Sequence, residues 1–222
     1  MKKKHQEFRP YKSARRRAEP YHLMPDHRPR SRARVLSERE IRAVENHIFR
    51  DSGAPYAYLL KFYLTLYAGL RVGEVLNTHI SDLVEPDGQV SEWVTVRPKT
   101  GKGGKGRKIP MHPKIAQVVR KFLLHHPDVT YVAFSQRWYT PKRQSLTALT
   151  NQMWWMYKKA GLSGCSSHSG RRTFVTNLAE STGKLGKSLR DVQVLAGHAR
   201  LETTECYIEP SENLGPLIRS LK

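Results

Sequence analysis

The run from Tyr56 to Leu70 constrains this chain most: fifteen residues, apolar or aromatic except for Lys61, Thr65 and Gly69. A helix that is apolar on every side has to be covered on every side. The run falls short of the roughly 18 residues of a membrane span and is interrupted by a lysine. It is therefore expected to be the central core helix of a soluble protein, with other helices packed around it.

The flanking sequence supplies those helices. Ser37-Glu38-Arg39-Glu40 has the capping-box pattern, in which the Ser37 hydroxyl and Glu40 carboxylate satisfy each other's backbone donors. Ile41, Val44 and Ile48 follow at helical spacing, and Gly53-Ala54-Pro55 stops the helix. A further helix is expected over residues 71–78. The texture then changes. Residues 80–84, 90–96 and 107–111 read as short strands, parted by Pro86-Asp87-Gly88 and by a Gly/Lys-rich turn. Three strands in succession predict a small three-stranded antiparallel sheet. The helical period returns over 115–125, 146–160, 168–182, 188–196 and 201–207, with a last amphipathic piece at 212–221. The expected fold class is α+β, mainly helical, with one small sheet.

Charge points to the partner. Lys and Arg number 39 against 19 Asp and Glu, a formal net charge of +20. Residues 1–34 hold 12 of the basic residues, three of them in Arg15-Arg16-Arg17, and have few aliphatic ones. Such an arm cannot bury enough apolar surface to offset its chain entropy, so it is expected to be disordered until it meets a polyanion. A field of this sign favours nucleic acid. Cys165 and Cys206 make no disulfide framework, and no apolar segment follows the basic start Met1-Lys2-Lys3-Lys4, so a cytoplasmic protein is expected.

Two apparent motifs are accidental. Gly101-x-Gly103-x-x-Gly106 matches the dinucleotide fingerprint as a string, but Ile109-Pro110 stands where a helix N-terminus is required. Cys165-x-x-His168 has no second ligand pair at a spacing that suits zinc. Neither a cofactor nor a metal is expected.

Four segments carry the chemistry. They are Ala68-Gly69-Leu70-Arg71-Val72-Gly73-Glu74; the lysine-rich turn with Lys99, Lys102 and Lys105; His168-Ser169-Gly170-Arg171-Arg172; and Leu195-Ala196-Gly197-His198, with Tyr207 nine residues on. Each alone has a plainer reading: Arg71 as a surface charge at a helix end, His168 and Arg171 as a solvated pair, His198 beside a helix cap, Tyr207 as packing. Together, in this order, they resemble the tyrosine recombinase (phage integrase) family over about residues 37–210.

The residue types suit attack on a phosphodiester. Charge gathers on the non-bridging oxygens, and two guanidiniums, Arg71 and Arg171, can hold them bidentately and stay charged. A tyrosine hydroxyl is a weak nucleophile that needs a cationic site and a proton acceptor. The resemblance implies Tyr207 as nucleophile, His168 as acid/base, His198 as a hydrogen-bond donor to the phosphate, and Lys99, with Lys102 as the alternative, protonating the departing oxygen. It implies a 3′-phosphotyrosyl intermediate and double-stranded DNA as partner. Lys102, Lys105, Arg107, Lys108 and Arg172 are expected to contact DNA, as are Arg15, Arg16 and Arg17 of the arm. Glu74 and Asp82 match acidic family positions and are expected to orient Arg71 or nearby backbone.

The expected organisation is an arm at 1–34, a catalytic domain at 35–210 and a tail helix at 211–222. The tail either passes to a neighbouring subunit or packs on its own. The resemblance further implies a tetramer on two DNA sites, an accessory DNA-bending protein, residence on the nucleoid, and a short form lacking the usual DNA-clamping domain. Either the basic arm stands in for that domain, or the chain is a truncated or accessory member that needs a partner protein. A DNA-binding regulator that no longer cuts, or a type IB topoisomerase-like enzyme, are the alternatives.

Overall fold

The computed structural model describes residues 33–98, 106–135 and 141–207. Helix α1, Glu38–Asp51, begins at the expected box: the Glu40 carboxylate accepts from the Ser37 amide at 2.9 Å, and the Ser37 hydroxyl accepts from the Glu40 amide at 3.4 Å. It buries Ile41, Val44 and Ile48. Helix α2, Pro55–Tyr67, starts on a proline, whose missing N–H has no intrahelical partner to lose. Nine of its thirteen residues are buried, as an element apolar all round requires. Lys61 is among them at 4% exposure, its ammonium donating to Gln152 Oε1 at 2.6 Å, and burial pushes its pKa down to about 7.

Helix α2 ends three residues before the expected boundary. Gly69 takes a left-handed φ of +62°, which terminates the helix and sends Leu70 back to bond the Leu64 carbonyl at 3.0 Å. That reversal delivers Arg71 to the start of α3, Val72–Asn77.

The sheet departs from expectation. In place of three strands there are two two-stranded antiparallel pieces. Strands β1, Trp93–Val96, and β2, Arg107–Pro110, form one, with Val96 opposite Arg107 and Val94 opposite Ile109. Strands β3, Phe134–Ser135, and β4, Lys142–Arg143, form the other. The first expected strand is instead a 3-10 turn, Ile80–Asp82, followed by a single bridge from Val84 to Val90. The cause is local. The Asp82 carboxylate accepts from the His79 amide at 2.9 Å and from Arg97 Nε at 2.6 Å, offering the backbone a turn that a ladder cannot match.

Helices α4, Pro113–His125, and α6, Ser169–Thr182, pack against α2. Helix α5, Leu146–Lys159, lies against α1 and α3. Helices α7, Leu189–Ala196, and α8, Glu202–Glu205, complete the described chain. They enclose a second small core of Phe174, Val175, Val192 and Ala196, on which Tyr207 packs. No helix among the described residues is long and apolar enough to cross a membrane.

Candidate active site

The site forms where four helix ends meet. Arg171, on the first turn of α6, is only 3% exposed. One of its terminal nitrogens donates to the Gly69 carbonyl at the end of α2, the other to the Ala196 carbonyl at the end of α7, the latter at 2.8 Å. Orphaned carbonyls at a helix C-terminus carry partial negative charge, which suits a guanidinium. Burial and the neighbouring Arg71 charge lower its pKa, but an arginine starts so high that it stays charged at any working pH. A guanidinium has five N–H donors, so two backbone bonds leave others for a ligand.

Arg71 is partly exposed. Its amide donates to Glu74 Oε2 at 2.8 Å and its side chain to Glu74 Oε1 at 3.2 Å, with Gly197 O 3.5 Å away. Glu74 therefore orients Arg71, as expected. Asp82 orients nearby backbone instead, accepting from the His79 amide, and also holds Arg97.

The same Glu74 carboxylate faces Arg107. Arg107 was expected to reach DNA from the hairpin, but its side chain turns inward and is 12% exposed, against 9% for Glu74. It spans both carboxylate oxygens at 3.0 Å each and donates through Nε to the Leu195 carbonyl at 3.0 Å. Burial would raise the Glu74 pKa, but the hydrogen bonds and charge of Arg107, with help from Arg71, hold it near 2. An exposed cationic hairpin residue reads as surface in sequence, and nothing marks a partner 33 residues upstream.

His198 follows Gly197, whose left-handed φ of +64° caps α7. Its Nδ1 lies 2.9 Å from the Thr204 hydroxyl, and its ring stacks on Tyr207 with centroids 5.6 Å apart. With Nδ1 occupied, Nε2 is the nitrogen left for a ligand. Burial and the charges of Arg171, Arg71 and Arg107 push its pKa down to about 4, so the ring is neutral at pH 7. His168, at the head of α6, is lowered in the same direction by partial burial and by Arg171 and Arg71.

Tyr207 and His168 line one cavity of about 630 Å³ together with Arg171, Arg172, Arg200, Thr203 and Cys206. The Arg172 guanidinium stands 5.9 Å from the Tyr207 ring. Arg71 and His198 meet at the Gly197 turn and do not line that cavity directly. Lys108 is exposed on β2. Lys99, Lys102 and Lys105 of the turn, Arg15, Arg16 and Arg17 of the arm, and the tail at 211–222 lie outside the described residues. Sequence reasoning missed Arg200 and Thr204. Thr204 had a faint signal, sitting one turn before Tyr207, whose amide bonds its carbonyl.

With this geometry in place, the comparison with known proteins is direct. The model of the phage integrase family matches residues 34–213. The chain belongs to the phage integrase family. Among its relatives, the tyrosine recombinase XerC of Proteus mirabilis is 34% identical over 145 residues, 63% of this chain and 43% of the relative. The tyrosine recombinase XerA of Pyrococcus furiosus is 29% identical over 184 residues, 81% and 58% of the two chains. This integrase-family chain thus spans about half the length of the curated relatives it matches. The crystal structure of XerA recombinase matches with a TM-score of 0.64 at 24% identity, over 90% of this chain and 67% of that one. XerH recombinase bound to its difH substrate matches with a TM-score of 0.63 at 20% identity, over 84% and 53%. At these identities the structures speak for the shared fold.

The depressed histidine has a consequence for stability. A native pKa near 4 against an ordinary 6.5 means that the unfolded chain binds more protons between those values. Stability is then complete above pH 6.5 and falls as pH drops through that window. Glu74 acts with the same sign further down, its contribution present above pH 4.5 and lost toward pH 2. The melting temperature is expected to drop between pH 7 and pH 5, and His198→Asn to flatten part of that slope. An unchanged slope in the variant contradicts the assignment.

Proposed function

We propose that this chain is a site-specific DNA recombinase whose Tyr207 cuts and rejoins DNA through a 3′-phosphotyrosyl link. One observation carries the reading: Tyr207 lines the same cavity as Arg171 and His168 of its own chain, with its ring stacked on His198. The relatives it matches are tyrosine recombinases, and matched structures include XerH on its difH substrate and a lambda integrase dimer on a core site.

In the proposed reaction, Arg71 and Arg171 hold the non-bridging oxygens of the scissile phosphate, where charge accumulates during attack. The Tyr207 oxygen attacks phosphorus as its proton passes to His168. The bond from phosphorus to the 5′-oxygen breaks, and Lys99, or Lys102 in its place, gives that oxygen its proton. His198 donates from Nε2 to the phosphate. The new phosphotyrosyl ester replaces the old phosphodiester, so rejoining is the same exchange in reverse. Residues 35–210 form the catalytic domain, the arm at 1–34 tracks DNA phosphates, and the tail at 211–222 links subunits of a tetramer on two sites. Lys102, Lys105, Lys108 and Arg172 add phosphate contacts.

The test is covalent trapping. Purified protein is mixed with labelled duplex from its own genomic neighbourhood, nicked so that the cleaved end escapes, with EDTA present. A denaturant-resistant protein–DNA band is expected, and Tyr207→Phe is expected to remove it entirely while binding persists. A band that survives in Tyr207→Phe, or tight wild-type binding with no band, overturns the reading; the second result favours a DNA-binding regulator on the same fold.

A further inference from the structure

We infer that Arg107 is a positioning residue that ties the seating of the β1–β2 hairpin to the assembly of the phosphate cradle. The inference rests on the proposed function. Arg107 opens β2, directly after the turn that carries Lys99, Lys102 and Lys105. Its guanidinium touches three separate parts of the site at once. The two terminal nitrogens take both oxygens of Glu74, and Glu74 holds Arg71 by backbone and side chain. Its Nε takes the Leu195 carbonyl, next to the Ala196 carbonyl that anchors Arg171. Its flat face lies against Gly197, where an added Cβ would come within 2.8 Å of an Arg107 terminal nitrogen. Gly197 is the residue that turns the chain into His198.

Three features separate this arrangement from ordinary surface charge. The pair with Glu74 is largely desolvated, so removing Arg107 leaves a buried carboxylate whose remaining cationic partner is the more exposed Arg71. Two parallel N–H bonds to one carboxylate together with a third to a carbonyl need a planar fork, which lysine lacks. The Gly197 contact leaves no room for a side chain on the guanidinium face. Arg71, the Gly197–His198 turn and strand β2 are thus held in mutual register by one side chain that does not line the cavity. A β2 strand that lifts away takes Arg107 with it and frees Glu74 to reorient Arg71.

The test compares wild type with Arg107→Lys, which keeps the charge and stem, and with Arg107→Ala. Each protein is first shown to be folded by its melting curve. Three quantities are then read on the trapping substrate: affinity, the slope of log affinity against log salt, and the rate of adduct formation on saturating DNA. The expected results for Arg107→Lys are affinity within about threefold, an unchanged salt slope, and an adduct rate lowered on the order of 30-fold or more, in keeping with loss of a preorganising fork. Arg107→Ala is expected to be slower still and to recover in part with millimolar ethylguanidinium, which a variant damaged only in stability does not do. A direct DNA contact by Arg107 gives the opposite pattern: weaker binding, a salt slope smaller by about 1, and a normal rate once DNA saturates. That pattern, or an Arg107→Lys adduct formed at the wild-type rate, overturns this inference alone. A wild-type protein that forms no adduct overturns the functional reading as well.

Discussion

Arg171→Lys is expected to slow covalent joining about a thousandfold and to destabilise the fold by on the order of 2 kcal/mol. The two effects have one origin. Arg171 is buried, and its two terminal nitrogens bridge the carbonyls that close α2 and α7. A lysine ammonium can reach one of these carbonyls but not both, and a buried carbonyl left unpaired costs about 1–3 kcal/mol. The chemical loss is larger because the fork that should meet the phosphate is the one the backbone holds in place. Losing one preorganised donor costs about 10² to 10³ in rate, and here the geometry of several is lost. Urea melts and the trapping assay read the two quantities separately. A lysine variant within tenfold of the wild-type rate contradicts the phosphate-holding role.

The second large effect is expected at Gly69→Ala. Gly69 sits at φ +62°, and a Cβ there would lie 2.3 Å from the Phe174 ring, far inside contact distance. The left-handed conformation costs an L-residue about 1–2 kcal/mol, and forcing atoms into a packed core costs about 1–3 more. The sum, about 3 kcal/mol, lowers the melting temperature by roughly 10 °C in a chain of this size. Relief comes by moving either Phe174 on α6 or the 68–70 turn, and both disturb Arg171, whose partner is the Gly69 carbonyl. Adduct formation is therefore expected to fall even well below the melting temperature. A variant that melts within 2 °C of wild type, by differential scanning calorimetry, contradicts the close approach.

Elements governed by local chemistry were legible in the sequence. The Ser37/Glu40 box starts α1, the all-apolar run became the buried α2, and the helical pattern at 146–160 became α5. The failures share a cause: a side chain whose partner is chosen by the fold. Residues 80–84 read as a strand, yet Asp82 captures the His79 amide and Arg97, and the ladder shrinks to one bridge. Lys61 looked like a flaw in a core helix and is instead buried on Gln152, 91 positions away. Strands β3 and β4, two residues each, are too short to carry a period. Arg107 shows most clearly what sequence withholds. Its charge was read as DNA contact because the turn before it is full of lysine, while the structure commits it to Glu74 and Leu195. The family boxes around Arg71, His168, Arg171, His198 and Tyr207 were legible because their order survives along the chain. The supports that hold them come from separate elements, Thr204 from α8, Glu74 from α3 and Arg107 from β2, and the pairing of the last two exists only in three dimensions.

The most direct test of the central claim is to identify the atom that joins protein to DNA. The trapped complex is digested with nuclease and trypsin, and the adduct is located by tandem mass spectrometry. The expected product is peptide 201–219 carrying a nucleotide 3′-phosphate on Tyr207, with the peptide's other hydroxyl residues and Cys206 unmodified. A nucleotide on any other residue, or an adduct that forms equally well in Tyr207→Phe, contradicts the assignment of Tyr207 as the nucleophile.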